Sequence, residues 1–331
     1  MDDNGALVAR HVTDVNGPVH FMEFGGAGPA IVLVHGLGGS AINWLGVGPA
    51  LARRGRTIAV DLPGFGRTPL AGRSTRVAAQ AEWLGRFIES VTPGPAVVVG
   101  NSMGGLIGMM AAAAEPALIS HLVLAAPAAP APRRRIHPAV LASFLIYSMP
   151  VVGAWYVERR SARLGAEGLV RDMLRMCCVD PSRVAAELRD AHVSLAAERL
   201  ERMPWGPAAF LEAARSTVRA IARRRRFDEM TRKIAAPVLL IHGDRDRLVP
   251  LEAARRLSRV RPEWTLEVLD DVGHVAQMET PTRFVDAMTR WMDATPRTRA
   301  SVGQRAPQHA TARGAGQGSR GEASASRPRS R

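Results

Sequence analysis

Residues 97–107 read VVVGNSMGGLI, and no other stretch restricts the fold so tightly. Three consecutive valines form a short buried strand, while LIGMMAAAAE beyond the glycines is a helix former. Between them sits Ser102, with Gly100 two residues before it and Gly104 two after. A chain that passes from strand to helix in so short a turn brings side chains at those two positions into collision, so glycine meets a steric demand there. Such a turn lifts the serine hydroxyl above the edge of a sheet, where a nucleophile has to be. G-x-S-x-G alone is a modest signal, and its weight comes from the strand before it and the helix after it.

The surrounding sequence supplies the sheet. Leu7–Val15 and Val19–Phe24 read as a strand pair joined at Asn16-Gly17. Ala30–Val34, Thr57–Val60, Ala96–Val99 and Leu122–Ala125 are short, continuously apolar strands. They alternate with helical segments predicted at Trp44–Arg53, Arg76–Ser90 and Met103–Ala114. The rhythm resumes with strands at Pro237–Ile241 and Thr265–Leu269, and helices at Leu251–Val260 and Pro281–Met292. Apolar strands separated by helices imply an α/β fold with a mostly parallel central sheet covered on both faces.

From Pro130 to Lys233 the strands vanish, and the sequence is helical and marked by the arginine runs Arg133–Arg135 and Arg223–Arg226. The expected organisation is a first core part over 1–129, a helical lid insertion over 130–233, a second core part over 234–294 and a tail over 295–331. Within the insertion, Ile136–Val157 is apolar enough to raise the question of a membrane span, which needs about 20 apolar residues. Pro138, Pro150 and Gly153 break the run, and a span there would part Ser102 from the second half of the sheet. A lid over an apolar pocket is the better reading, and shallow contact with a membrane surface the minority one. Phe144, Leu145, Ile146, Tyr147, Met149, Trp155 and Tyr156 either line that pocket or pack the lid onto the core.

Charge and composition exclude several classes. The formal charge is +14, but half of it lies beyond Pro296, where eight arginines face Glu322 alone. That tail has almost no large apolar residue and is expected to be disordered, so the charge is no signature of a specific nucleic-acid partner. Lys233 is the sole lysine, so no G-x-x-x-x-G-K-[ST] phosphate loop exists. Cys177 and Cys178 are adjacent and cannot staple distant segments. A reducing, cytoplasmic setting fits them, and the acidic start MDDNGALVARHVTDV is not a secretory signal. No H-E-x-x-H or spaced Cys/His set points to a metal, and no cofactor is expected.

Four further stretches follow the same order as the serine turn: HGLGGS at 35–40, DLPGFGRT at 61–68, HGDRDRLVP at 242–250 and DDVGHVAQMETP at 270–281. With GNSMG they make five ordered matches, and over about residues 17–292 the chain resembles the α/β-hydrolase superfamily in its cofactor-free, lid-bearing branch.

A serine hydroxyl needs a base, itself oriented by a carboxylate. His274, in V-G-H just past a strand, has the right chain order for that base. HGDRDRLVP offers Asp244 and Asp246; the resemblance implies Asp246, three residues after Gly243, with Asp244, which reads as a turn residue bonded to its own loop, as the fallback. The oxyanion formed on acyl attack needs fixed donors. The backbone N–H of Met103 opens the helix after the serine, and the resemblance implies the N–H of Leu37 as the second donor. His35, His242, Asp61 and Arg67 read as loop braces, and the two cysteines as small hydrophobes.

The resemblance implies hydrolysis of a small apolar carboxylic ester, or a related acyl substrate, through an acyl-enzyme. Serine at position 102 disfavours the epoxide and haloalkane chemistries, which use aspartate there. Carbon–carbon hydrolysis of ring-cleavage dienones is the alternative, favoured by GNSMGG but opposed by Val275, where those enzymes carry Trp, and by GLGG in place of a Gly-Pro signature. Perhydrolysis, acyl transfer and a non-catalytic ligand-binding role remain open on the same fold.

Overall fold

The computed structural model describes residues 8–132 and 135–295; the expected tail lies outside them, as do Arg133 and Arg134. Among the described residues eight strands form one sheet: β1 (Ala9–Asp14), β2 (Pro18–Glu23), β3 (Ala30–Val34), β4 (Arg56–Val60), β5 (Ala96–Asn101), β6 (Ile119–Ala125), β7 (Val238–Gly243) and β8 (Thr265–Leu269). The spatial order is β1-β2-β4-β3-β5-β6-β7-β8. Only β2 runs against its neighbours, and from β4 to β8 every pairing is parallel.

Alternation explains why the central strands have no polar face. Val32, Val34, Val98, Leu122, Leu124 and Leu240 point to one side of the sheet. There they meet Leu84, Phe87 and Ile88 of α2 (Val77–Val91) and Leu106 and Ile107 of α3 (Met103–Ala114). Ile31, Leu33, Val97, Val99, Val123, Leu239 and Ile241 point to the other side. They pack with Trp44 and with Phe284, Met288 and Trp291 of α11 (Pro281–Ala294). Both faces are dry, as a parallel sheet demands.

One expected helix is absent. Trp44–Arg53 is not continuous but a 3₁₀ turn over Ala41–Trp44 followed by the single turn α1 (Gly48–Leu51). Gly46 and Gly48 weaken the helix, and Pro49 disfavours the α conformation in the residue before it.

Between β6 and β7 the chain forms α4 (Pro138–Ser148), α5 (Pro150–Cys177), α6 (Ala186–Arg202), α7 (Gly206–Ala222) and α8 (Arg224–Arg232). Pro138 and Pro150 start helices rather than merely breaking an apolar run, because a missing N–H costs nothing in the first turn. α5 is interrupted at Gly165, whose φ of +61° suits a residue without a Cβ. The remaining helices are α9 (Leu251–Val260) and the short α10 (Ala276–Glu279).

The inserted helices are tied to the loops at the strand ends. Arg199 Nη1 donates to the Gly38 carbonyl, Arg67 pairs with Glu198, and Glu212 accepts from the Thr75 amide and hydroxyl. Of the side chains expected to line a pocket or pack the insertion down, Leu145, Met149 and Trp155 do neither, being 60%, 43% and 62% exposed. Tyr147 packs inward against Phe144, Tyr156 and Phe210.

Candidate active site

Ser102 occupies the turn between β5 and α3 with φ +54° and ψ −116°, a conformation costly for a residue bearing a Cβ. Its own backbone holds it there. Its N–H donates to the Ala125 carbonyl, and its carbonyl accepts from Leu106 and Ala128. The glycines on either side are sterically required. A Cβ on Gly100 would lie 2.5 Å from the Gly104 carbonyl oxygen, and one on Gly104 would strike the Val34 and His35 carbonyls. Ser102 itself keeps partial exposure while Asn101 and Met103 beside it are buried.

The loop after β3 closes on this turn. A Cβ on Gly36 would sit 3.1 Å from the Ser102 Cβ, so the His35–Gly39 turn lies directly against the serine. Leu37 follows Gly36 in that turn. Met103 is the first residue of α3, where helix geometry gives its N–H no partner within the helix. Both candidate oxyanion donors therefore belong to segments that border Ser102. His35 braces the turn: its Nδ1 donates to the Gly36 carbonyl and its Nε2 accepts from the Leu62 amide. Burial pushes its pKa down to about 4, which keeps the ring in that neutral form.

His274 and Asp246 meet from the loops after β8 and β7. His274 Nδ1 lies 2.7 Å from Asp246 Oδ2, and the two side chains are 5% and 0% exposed. The other carboxylate oxygen of Asp246 accepts from the Leu248 and Val249 amides at 2.8 and 2.9 Å. Burial alone would raise the Asp246 pKa, but His274, His242 and the Val249 amide together hold it below the ordinary carboxylate value. An ionised Asp246 accepting from Nδ1–H leaves Nε2 of His274 as the nitrogen with a free lone pair. The Asn101 amide donates to the His274 carbonyl at 3.2 Å, which joins the histidine loop to the serine turn.

Asp244 stands apart and exposed, and it accepts from the Asp271 amide rather than from its own loop. Asp61 is buried, accepting from the Ala41 and Arg67 amides and facing His20 Nδ1 at 2.8 Å. It is a brace for the DLPGFGRT turn, as expected, but its pairing with His20 has no local sequence signal. Burial raises both cysteine thiols, that of Cys178 to about 12, so neither supplies a thiolate at neutral pH. Among the described residues no cluster of three His, Cys, Asp or Glu side chains is placed to hold a metal ion.

Glu279 is the participant that sequence reasoning missed. Fully buried, it accepts from Gly273 N–H through one oxygen and from Val179 and Asp180 N–H through the other. The His274 N–H in turn donates to the Cys177 carbonyl at the end of α5. The histidine loop is thus bonded on both sides to the segment that leaves α5. An acid five residues after a histidine and two before a proline is the only sequence trace of this.

The arrangement links a partly exposed serine, through its neighbour Asn101, to a buried histidine–carboxylate pair, with Leu37 and Met103 in the segments that border the serine, the kinds of group that acyl transfer uses. The chain is also similar to known hydrolases. A family model described as the alpha/beta hydrolase fold matches residues 29–281. A pimeloyl-[acyl-carrier protein] methyl ester esterase of Aeromonas hydrophila is 30% identical over 276 residues, covering 81% of this chain and 96% of the relative. A 2-hydroxy-6-oxo-6-(2'-aminophenyl)hexa-2,4-dienoic acid hydrolase of Metapseudomonas resinovorans is 26% identical over 287 residues, covering 85% and 90%. Among solved structures, a bacterial membrane phospholipase A superposes with a TM-score of 0.68 at 25% identity, covering 87% of each chain.

Proposed function

The chain belongs to the α/β-hydrolase family, and from that premise we propose that it is a serine hydrolase acting on carboxylic esters through an acyl-enzyme. The observation that carries this reading is the strained, partly exposed Ser102, whose neighbour Asn101 bonds to the carbonyl of a histidine with its Nδ1 fixed by a buried carboxylate at 2.7 Å. In the proposed reaction Ser102 Oγ forms a bond to the ester carbonyl carbon while its proton passes to His274 Nε2. Asp246 steadies the imidazolium, and the Leu37 and Met103 N–H groups receive the developing oxyanion. Collapse breaks the bond to the alkoxy group, which leaves with the proton from His274. Water then repeats the sequence on the acyl group, returning the proton to Ser102.

The esterase of Aeromonas hydrophila supports an ester as substrate, and the phospholipase supports an acyl ester more broadly. The dienoic acid hydrolase supports a second reading, carbon–carbon cleavage by the same residues. Val275, buried directly after His274, favours the ester. It presents no aromatic ring or polar group at the place where the dienone enzymes carry Trp.

A p-nitrophenyl ester series from acetate to palmitate separates the readings. We expect turnover that varies with chain length and falls by more than about a thousandfold in Ser102→Ala. Labelling of wild type by a fluorophosphonate, absent in the variant, distinguishes a turning-over site from a ligand-binding one. A folded, labelled protein that spares all esters but cleaves a dienone would replace the ester reading by the carbon–carbon one.

A further inference from the structure

Among the described residues eight large apolar side chains stand exposed, and six of them fall between Leu141 and Trp155. They are Leu141 and Leu145 on α4, Met149 at the bend, and Val151, Val152 and Trp155 on the first turns of α5. Such a concentration is unusual on a water-facing surface and marks a contact site. No single helix among the described residues is long and apolar enough to cross a membrane, and α4 and α5 meet at a bend of 118°. The feature is a blunt apolar tip rather than a span.

The tip is rigid and its two sides differ. Arg215 donates to the Tyr147, Met149 and Pro150 carbonyls, which ties down the end of α4 and the bend. On the inner side, Tyr147 stacks edge-on against Phe210, whose ring lies 3.3 Å from the Cβ position of Gly38 in the turn beside Ser102. The outer side carries the exposed residues in helical register. His137, Leu141 and Leu145 follow one another at four-residue spacing on α4, as do Val151, Trp155, Arg159 and Arg163 on α5. Both stripes are apolar at the tip, and the one on α5 ends in arginine.

The charge around that foot is net positive. Arg159 and Arg163 are exposed, with the exposed acids Glu158 and Glu167 near them along α5 and Arg160 paired with Asp172. Arg224 donates to the Ala131 carbonyl, seven residues before α4, so the exposed run Arg223–Arg226 adjoins the chain that leads toward that helix. Arg225 is paired with Glu229, and Arg135 with Glu252. An apolar tip collared by arginine complements a surface that is apolar within and anionic at its rim.

We propose that the α4–α5 tip docks on an anionic lipid surface, with Leu145, Val151 and Trp155 in the acyl region and Arg159, Arg163 and the Arg223–Arg226 run at the headgroups. Interfacial helices sink about 5–10 Å, or a few helical residues, which matches the depth of the apolar zone. Long arginine side chains extend back to the headgroup layer from such a depth. The docked orientation turns the side of the molecule that covers the serine turn toward the lipid. This inference does not depend on the ester reading, because docking is measured without turnover.

Trp155 is a built-in reporter. Trp44, Trp83, Trp264 and Trp291 are buried and Trp205 is half-buried, so Trp155 alone among the six stands open. The full chain would be mixed with vesicles of phosphatidylcholine alone and of equimolar phosphatidylcholine and phosphatidylglycerol, the acyl chains brominated in one series. The expected result is sedimentation with the anionic vesicles, weakened by salt. Bromine quenching should be present in wild type and absent in Trp155→Phe. The exposed pair Leu145→Ser/Val151→Ser should fold normally and partition at least about tenfold more weakly. Three results would overturn the proposal: no binding to either vesicle, binding that neither quenches Trp155 nor responds to the double variant, or patch-dependent self-association in place of vesicle binding. The second would assign the contact to basic residues elsewhere in the chain, and the third to another copy of it.

Discussion

At the scale of single residues, Asp244 and Asp246 differ in what each carboxylate faces. Asp246 is enclosed and spends one oxygen on two backbone amides, so only the other is left for His274. Asp244 receives the Asp271 amide at an exposed turn. Asp246→Asn keeps the shape but replaces an acceptor by a donor, which favours the wrong imidazole tautomer. For serine hydrolases of this logic the loss in kcat is about ten-thousandfold. Asp244→Asn retains its carbonyl acceptor and should change kcat by less than about threefold. The pair of variants, assayed on the best ester of the series, tests the assignment; comparable losses from both would defeat it. This much of the site was legible in the sequence because each of its parts lies in a short motif whose local geometry is self-contained. The His20–Asp61 contact was not legible, since it joins residues 41 apart that only the β2–β4 pairing brings together.

At the scale of elements, the strands were readable for a physical reason: a strand buried on both faces must be apolar throughout. The break between the 3₁₀ turn at Ala41–Trp44 and α1 was not, because Gly46, Gly48 and Pro49 lie within an otherwise helix-compatible run. The direction faced by α4 and α5 was also hidden, since apolar composition does not say whether a side chain looks inward or outward. Glu279 shows the same limit at a functional point. Its partners Val179 and Asp180 are about a hundred residues away and contribute only backbone N–H groups, which no side-chain pattern records. Its position makes α10 a clasp between the exit of α5 and the loop that holds His274. Glu279→Gln puts an amide donor against N–H donors, and a buried acceptor lost in this way costs about 2–4 kcal/mol. If the clasp positions the histidine, kcat should fall by about tenfold or more with KM little changed, as small misplacements do. A lowered unfolding midpoint with kcat intact would make Glu279 an anchor for the inserted helices only.

At the scale of the whole molecule, three histidines whose pKa is lowered by burial, His35, His192 and His242, tie folding to pH. His35 is enclosed in the turn beside Ser102, and burial holds its pKa to about 4. His192 on α6 is likewise pushed to about 4, by burial first and then by the nearby Arg199 charge, and its Nε2 has no hydrogen-bond partner. Both values lie below the ordinary 6.5, so between those limits the unfolded chain binds protons that the folded one refuses. Their contribution to stability is complete above about pH 6.5, declines as pH falls toward 4, and loses nothing further below it. A shift of this size corresponds to at most about 3 kcal/mol per histidine. Asp61 and Asp246, held below the usual carboxylate range against the opposing effect of burial, add a further loss at more acid pH. Urea unfolding at pH 7, 5.5 and 4.5 should therefore show a falling midpoint, with a dependence of more than one proton. His192→Leu removes one titrating ring and no hydrogen bond at Nε2, so it should flatten that dependence and leave the protein more stable than wild type at pH 4.5. His35 has no such neutral replacement, because its two nitrogens donate to Gly36 and accept from Leu62. A midpoint that does not move between pH 7 and 4.5, or a His192→Leu profile parallel to that of wild type, would mean that these rings reach solvent during ordinary fluctuations of the insertion and that burial does not govern their charge.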